Sequence, residues 1–178
     1  LLKGGEPYKM SKRAGNVILM SDITEEIGSD ALRFIFLTRK SDTHLEFDID
    51  MLKNQDSSNP IFYINYAHAR INQVFVKAGI TFEDIKDVSF DNLNQDGLNL
   101  VYESLLLESI LSEAFAKRDM QKITEYLYSI AASVHKFYNE HKVIGSDEQN
   151  VYLKILSMAS LSINVGLSLL GIKAKEIM

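Results

Sequence analysis

Two lysines bracket a Met-Ser pair near the start of the chain, at Lys9 and Lys12, and Arg13 and Gly15 follow. A lysine ammonium is a compact point charge with three donors, which suits the oxygens of a phosphate. If a loop closes such charges onto a leaving pyrophosphate, they act mainly in the transition state. Met10 would anchor this loop to the body. The residues predict a polyphosphate-binding loop, and the alternative for an isolated lysine pair is a solvated basic turn.

A second set of chemistry-bearing residues recurs at helical spacing between positions 60 and 79. The stripe predicted to face the core consists of Ile61, Ile64, His68, Ile71, Phe75 and Ala78. Nearly opposite lies a polar and aromatic stripe of Asn59, Tyr63, Tyr66, Arg70, Gln73 and Lys77. Tyrosine rings stack on bases and cations contact phosphates, so this stripe suits single-stranded RNA. The alternative is an amphipathic helix whose tyrosines pack beneath a loop.

Most of the other polar candidates are predicted to have structural roles. His68 lies on the apolar stripe, which favours a hydrogen-bonded core histidine, and Arg33 could pair with Asp30 three residues earlier. His135 and His141 have no carboxylate partner at a suitable spacing, so no chemistry is assigned to them. No metal site is predicted, because the acidic residues Asp42, Glu46, Asp48 and Asp50 have irregular spacing that suits helix capping and solvation.

Composition narrows the function classes. The chain has 178 residues, 46% of them hydrophobic, a net charge of −5 and no cysteine. The absence of cysteine excludes disulfides and thiolate metal sites and favours a reducing, cytoplasmic location. No apolar run of about 18 residues is evident, so a membrane partner is not expected. The acidic balance argues against bulk electrostatic binding of RNA, so any RNA contact must be local.

The order of elements predicts an all-α antiparallel helix bundle with a short N-terminal β/loop segment. Two short strands flank a Gly4-Gly5 turn, a helix capped by Ser21 or Asp22 ends at Gly28, and another covers Ala31 to Thr38. A helix is predicted from Asp48 or Asp50 to Asp56. Asn59 and Pro60 begin the next helix, which ends at Gly79. Later helices are predicted at 97–117, 119–141 and 147–170, the last of which is buried and central.

Four sequence blocks together resemble a known enzyme family. Lys9-Met10-Ser11-Lys12 is similar to the signature loop of class I aminoacyl-tRNA synthetases. Arg13-Ala14-Gly15-Asn16, Asp30-Ala31-Leu32-Arg33-Phe34 and Asn65-Tyr66-Ala67-His68-Ala69-Arg70 resemble arginyl-tRNA synthetase in particular. The chain ends Lys175-Glu176-Ile177-Met178, which departs from the family's usual ending because the penultimate arginine is missing.

The resemblance implies ATP-dependent attachment of arginine to tRNA-Arg. It places Lys9 and Lys12 in catalysis, with Met10 and Ser11 beside them in the ATP site. It also implies tRNA contacts by Tyr63, Tyr66, Arg70, Tyr138 and Met178. ATP with Mg²⁺ and arginine would be substrates of the full-length enzyme, and no cofactor is expected bound to this part.

The resemblance also divides the chain. Residues 1–20 would be the end of a catalytic domain with the lysine loop, residues 21–57 a helical connector, and residues 58–178 an anticodon-binding helical bundle. We expect a monomeric part of a longer protein that is inactive alone. The alternatives are another class I synthetase, such as the cysteinyl type, and a non-catalytic helical RNA-binding module.

Overall fold

A computed structural model describes residues 1–8, 17–91 and 93–178. The predicted lysine loop, from Lys9 to Asn16, lies outside the described residues, as does Asn92. The described chain is mainly helical, and the predicted helix bundle with its short N-terminal β segment is confirmed.

The N-terminal hairpin is fastened to the segment around Asp48. Strands β1 (Leu2–Lys3) and β2 (Glu6–Pro7) pair antiparallel through a turn at Gly4 and Gly5, whose φ angles are 61° and 82°. Asp48 Oδ2 accepts a hydrogen bond from the backbone N–H of Gly5 at 2.5 Å. That bond is the main cause that holds the pKa of the Asp48 carboxyl below its usual range. The predicted hairpin is therefore present and connected to a distant segment.

Helices α1 (Met20–Ile27) and α2 (Ser29–Leu37) follow, separated by Gly28 at φ 84°. The cap of α1 is Leu19, so Ser21 and Asp22 lie inside the helix and their predicted capping role is wrong. Asp22 instead accepts a hydrogen bond from the N–H of Leu19 at 3.0 Å, which satisfies one free donor at the helix start. The helices enclose a small core together with the following segment, made of Ile23, Leu32, Ile35, Ile49 and Leu52.

Only a single 3₁₀ turn, Met51–Lys53, forms where a helix was predicted to reach Asp56. The physical reason is that side chains take the backbone groups a longer helix would use. Asp48 Oδ1 accepts from the N–H of Asp50 at 2.9 Å, and the Asn59 amide donates to the carbonyls of Leu52 and Asn54 at 2.7 and 3.0 Å. The turn therefore stays short and leads directly into the next helix.

Helix α3 (Pro60–Ala78) has the predicted ends. Asn59 Oδ1 accepts from the N–H of Phe62 at 3.3 Å, and Pro60 occupies the first turn, where its missing N–H has no cost. Gly79 ends the helix in the left-handed conformation at φ 65°, which a glycine adopts without strain.

The bundle continues with α4 (Phe82–Ile85), α5 (Gln95–Leu105), α6 (Leu107–Lys117), α7 (Gln121–Glu140) and α8 (Gln149–Leu169). The single helix predicted at 97–117 is thus two helices. At the break, Tyr126 Oη donates to the carbonyl of Glu103 at 3.0 Å, and Ser162 Oγ donates to that of Ser104 at 3.0 Å. Side chains from α7 and α8 therefore bond the carbonyls that would otherwise continue the helix.

Helix α8 is the central helix of the bundle, as predicted, and packs against α3, α4, α5 and α7. By length and composition alone it could span a membrane, but half of its apolar window is buried inside the protein, as in a core helix. Gly166 permits its close approach to α7, because an added Cβ would lie 2.7 Å from Leu127 Cδ2. The resulting core positions the exposed faces of α3 and α7 beside each other.

Candidate nucleic-acid interface

Arg70 on α3 lies between two tyrosine rings, one from its own helix and one from α7. Its guanidinium carbon is 4.6 Å from the centroid of the Tyr66 ring and 4.7 Å from that of Tyr138. Arg70 Nη2 also donates a hydrogen bond to Tyr66 Oη at 2.9 Å. Because the guanidinium is held on both sides, its position is set before any ligand arrives.

The buried His135 side chain, on α7, contacts both Arg70 and the backbone of α3. The His135 side chain is 7% exposed, and its Nε2 lies 3.1 Å from the carbonyl oxygen of Tyr63. A carbonyl only accepts, so Nε2 carries the proton and Nδ1 can accept from Arg70 Nη1 at 3.4 Å. Burial lowers the pKa of His135, and the nearby Arg70 charge acts in the same direction. The neutral imidazole therefore connects α7 to α3.

Aromatic rings extend this surface toward the N-terminal end of α3. The Tyr63 ring lies 5.2 Å from the Tyr128 ring and 4.4 Å from that of His135, between centroids. The Phe62 ring is stacked on Tyr66 at 6.0 Å. Tyr66 is the most open of the predicted residues on this face, at 38% exposure. We call the surface formed by Tyr63, Tyr66, Arg70, His135 and Tyr138 the aromatic face.

The structure thus brings together four of the five predicted tRNA contacts on one surface. His135 and Asn139, whose Oδ1 lies 3.5 Å from Arg70 Nη1, were not predicted as members. His135 lies three residues before Tyr138, one helical turn away on the same face of α7, and this spacing is the signal that could have indicated it.

The opposite side of α3 docks the C-terminal segment. Asn65 Oδ1 accepts a hydrogen bond from the N–H of Lys175 at 2.9 Å, and His68 Nδ1 donates to the carbonyl of the same residue at 2.9 Å. Asn65 and His68 are buried, at 3% and 6% exposure. The prediction of a hydrogen-bonded core histidine at position 68 is confirmed.

Met178, the fifth predicted contact, lies apart from the aromatic face in an adjacent groove of about 450 Å³. It is 40% exposed, and Phe62 and Asn65 line the same groove. Since Phe62 is stacked on Tyr66, this groove borders the aromatic face. The docked C-terminal segment thus places Met178 next to the predicted RNA surface.

Two other polar residues have partners that sequence spacing could not indicate. Arg33 does not pair with Asp30 as predicted, because its guanidinium donates to the carbonyl of Gly171, 138 positions away. His141 has a carboxylate partner after all, since its Nε2 lies 3.1 Å from Asp96 Oδ2. This bond is the main cause that lowers the pKa of Asp96.

One cluster among the described residues has the geometry to hold a metal ion. Ligand atoms of Asp96, Glu140 and His141 lie within 4.8 Å of one another. Lys136 Nζ, however, lies 3.4 Å from Asp96 Oδ1 and 3.8 Å from Glu140 Oε2. A protein cation therefore already pairs with both carboxylates, and the cluster links α5 to the C-terminal end of α7.

Residues 64–178 match the DALR anticodon binding domain. The chain belongs to this family. The match covers the greater part of α3, all of α4 to α8 and the C-terminal segment, so it includes Tyr66, Arg70, Tyr138 and Met178.

Two proteins that are similar to the whole chain carry the same name. The chain is 87% identical over 178 residues to the arginine–tRNA ligase of Aliarcobacter butzleri, and 60% identical over 176 residues to that of Nitratiruptor. It covers 100% and 99% of its own length in these matches, but 34% and 33% of the relatives. The chain thus spans about a third of the length of the curated relatives it matches.

Solved structures agree with this relationship. A crystal structure described as an arginyl-tRNA synthetase from Campylobacter jejuni has a TM-score of 0.93 and 58% identity, over 99% of this chain and 39% of that one. The arginyl-tRNA synthetase of Thermus thermophilus, at 22% identity, shares the fold with a TM-score of 0.73 over 94% of this chain and 29% of that one. The resemblance indicated by the sequence blocks is confirmed.

Proposed function

We propose that this chain is the tRNA-reading part of an arginine–tRNA ligase, and that its aromatic face binds the anticodon region of tRNA-Arg. The observation that carries the proposal is the Arg70 guanidinium held between Tyr66 and Tyr138. Membership of the anticodon-binding family supports the same assignment.

The geometry suits unpaired bases. Tyr66, which is 38% exposed, offers aromatic surface to an unpaired base, and stacking on an aromatic ring is worth about 1–3 kcal/mol per base. Arg70 supplies the positive charge that an RNA strand requires, in a chain whose net charge is −5. Because stacking and hydrogen bonds already fix the side chains, binding orders few additional rotamers, which reduces its entropic cost.

The remaining parts of the activity belong to the full-length enzyme. In the proposal, residues 1–20 complete a catalytic domain, residues 21–57 connect it to the bundle, and residues 58–178 read the tRNA. Lys9 and Lys12 would contact the phosphates of ATP, which binds together with Mg²⁺, while arginine is activated, and Met10 and Ser11 lie in the same loop. The enzyme would act as a cytoplasmic monomer. The family resemblance supports these assignments.

The proposal for the aromatic face is tested by titrating tRNA-Arg against the full-length enzyme. We expect Tyr66→Ala to raise the Kd about tenfold or more, since a stacking platform is lost. The matched control is Tyr102→Ala, because Tyr102 is an exposed tyrosine (65%) on α5, a helix that does not carry the aromatic face. Equal Kd values for the wild type and Tyr66→Ala would remove the aromatic face from the tRNA site.

The lysine loop is tested separately by aminoacylation kinetics. Lys12→Ala should lower kcat by roughly 10²–10³-fold, the usual cost of deleting one donor to transition-state charge, and should leave the Kd for tRNA-Arg unchanged. Lys3→Ala is the control in the same N-terminal segment. If Lys12→Ala aminoacylated at the wild-type rate, the proposed role of the loop would be wrong.

A further inference from the structure

A basic pocket lies at the end of the bundle away from Tyr138. It has a volume of about 680 Å³ and is formed where the segment after α2 meets the turn between α6 and α7. Its charged lining consists of Arg39, Lys40, Lys117 and Arg118, with Asp42 and Asp119. Four cations against two carboxylates form a local positive region in a chain whose net charge is −5. Such a region attracts an anion.

Of the four cations that line the basic pocket, the two arginines are the ones available to bind an anion. Lys40 pairs with Asp119 at 3.5 Å, and Lys117 pairs with Glu113 at 2.5 Å. Among the described residues, Arg39 and Arg118 form no ion pair, and both are exposed. A guanidinium presents a planar fork of donors that matches the oxygens of a phosphate.

The backbone at Arg118 gives a second, independent indication. Arg118 ends α6 in the left-handed region, at φ 52°, and is the non-glycine residue with a positive φ in the described chain. Helices usually place glycine or asparagine in this conformation, because a side chain with a Cβ is strained there. An arginine in this strained conformation points to a use for its charge.

The basic pocket is connected to the aromatic face by a continuous surface along α7. The Tyr63 ring contacts that of Tyr128, and Tyr128 lines a groove of about 350 Å³ together with Arg39. Arg39 lines the basic pocket as well. From Tyr138 to Gln121, α7 advances about 25 Å, which is the length of roughly seven stacked nucleotides at about 3.4 Å each. One RNA molecule can therefore reach both sites.

We propose that the basic pocket binds backbone phosphates of the same tRNA whose anticodon region lies on the aromatic face, with Arg39 and Arg118 as the contacting groups. This inference rests on the proposed function. The two sites make different contacts with the tRNA: the aromatic face contacts bases, and the basic pocket contacts phosphates without regard to sequence. The basic pocket would let a protein with a net charge of −5 bind RNA phosphates through one local cluster of positive charge.

The test is the salt dependence of tRNA-Arg binding to the full-length enzyme. The slope of log K against log[salt] is negative, and each lost phosphate contact reduces its magnitude by about 0.7–0.9. The double variant Arg39→Gln/Arg118→Gln should therefore reduce the magnitude of the slope by roughly 1–2 and weaken binding at low salt. Tyr66→Ala should weaken binding with little change of slope. Lys86→Gln/Lys142→Gln removes the same charge elsewhere and should keep the wild-type slope.

A wild-type slope in the double variant, with weaker binding by Tyr66→Ala, would overturn this inference and leave the proposed function standing. A lowered slope together with unchanged binding by Tyr66→Ala would keep the basic pocket and overturn the aromatic face.

Arg118→Gly separates a phosphate contact from a structural role. It relieves the left-handed strain, so the melting temperature should stay the same or rise while affinity for tRNA falls. Arg118→Lys, which keeps the charge, should retain most of the slope. A loss of affinity in Arg118→Gly that came with a lower melting temperature would mean that Arg118 only ends the helix, and the inference would fail.

Discussion

The two sides of α3 both carry polar side chains, but these side chains have different kinds of partner. On the inner side, Asn65 and His68 bond the backbone of Lys175 and are almost fully buried. On the outer side, Arg70 and Tyr66 bond each other and keep a surface open to solvent. Burial with backbone partners indicates a structural role. Exposed side chains that hold each other in place indicate a surface prepared for a ligand.

The contrast matters because the block from Asn65 to Arg70 supplies both sides. Its residues alternate between the core and the surface with the helical period, so one short segment fastens the C-terminal segment and forms the aromatic face. Damage to one side should therefore leave the other nearly intact, and substitutions can measure this separation.

The largest expected effect is on the inner side. His68→Ala removes a buried side chain and leaves the Lys175 carbonyl without its donor, so the free energy of unfolding should fall by about 2–4 kcal/mol. Denaturant unfolding of the chain measures this, with Gln73→Ala, on the exposed side of the same helix, as the control. A loss below about 0.5 kcal/mol would show that the inner contacts do not hold the fold.

A smaller stability effect but a clear binding effect is expected on the outer side. Arg70→Lys keeps the charge and loses the planar guanidinium that stacks between Tyr66 and Tyr138. Stability should change by less than about 1 kcal/mol, while affinity for tRNA-Arg falls by roughly tenfold. Titration and unfolding of the same variant give both numbers. If Arg70→Lys destabilised the fold as much as His68→Ala, the distinction between the two sides would be lost.

The smallest effect is a pH dependence that comes from His135. Its pKa is lowered in the folded protein, so the unfolded state binds more protons near its ordinary pKa of 6.5. The stability that the neutral His135 contributes is fully present above pH 6.5, and it is lost as the pH falls from there toward the lowered pKa of the folded state. His135→Gln should therefore reduce the loss of stability between neutral and mildly acidic pH, whereas His44→Gln, at an exposed site, should not. Equal pH dependence in the wild type and His135→Gln would contradict the assignment.

Features encoded by neighbouring residues were predictable from the sequence. Asn59, Pro60 and Gly79 mark the ends of α3 because a cap, a fixed φ and a left-handed glycine each act within one turn of the helix. The helical period also separated the core stripe from the aromatic stripe, and so placed Tyr63, Tyr66 and Arg70 on one side of α3 before any tertiary contact was known.

Features that depend on distant parts of the chain were missed. The partner of Arg33 is 138 positions away, and that of His141 is 45 positions away. The break at Leu106 carries no glycine or proline that would have indicated it. Its cause is hydrogen bonding from Tyr126 and Ser162 on other helices. His135 joined the aromatic face for the same reason, since only the packing of α7 on α3 brings it to Tyr63. Helical spacing along one segment relates His135 to Tyr138 but contains no information about contacts between different helices.

The most direct test of the central claim is to cross-link tRNA-Arg to the full-length enzyme through a photoreactive base in the anticodon loop, and to map the attached peptides. We expect cross-links in the first half of α3, around Tyr66, and in the second half of α7, around Tyr138. Cross-links confined to α5 and α6, with none at Tyr66 or Tyr138, would contradict the account.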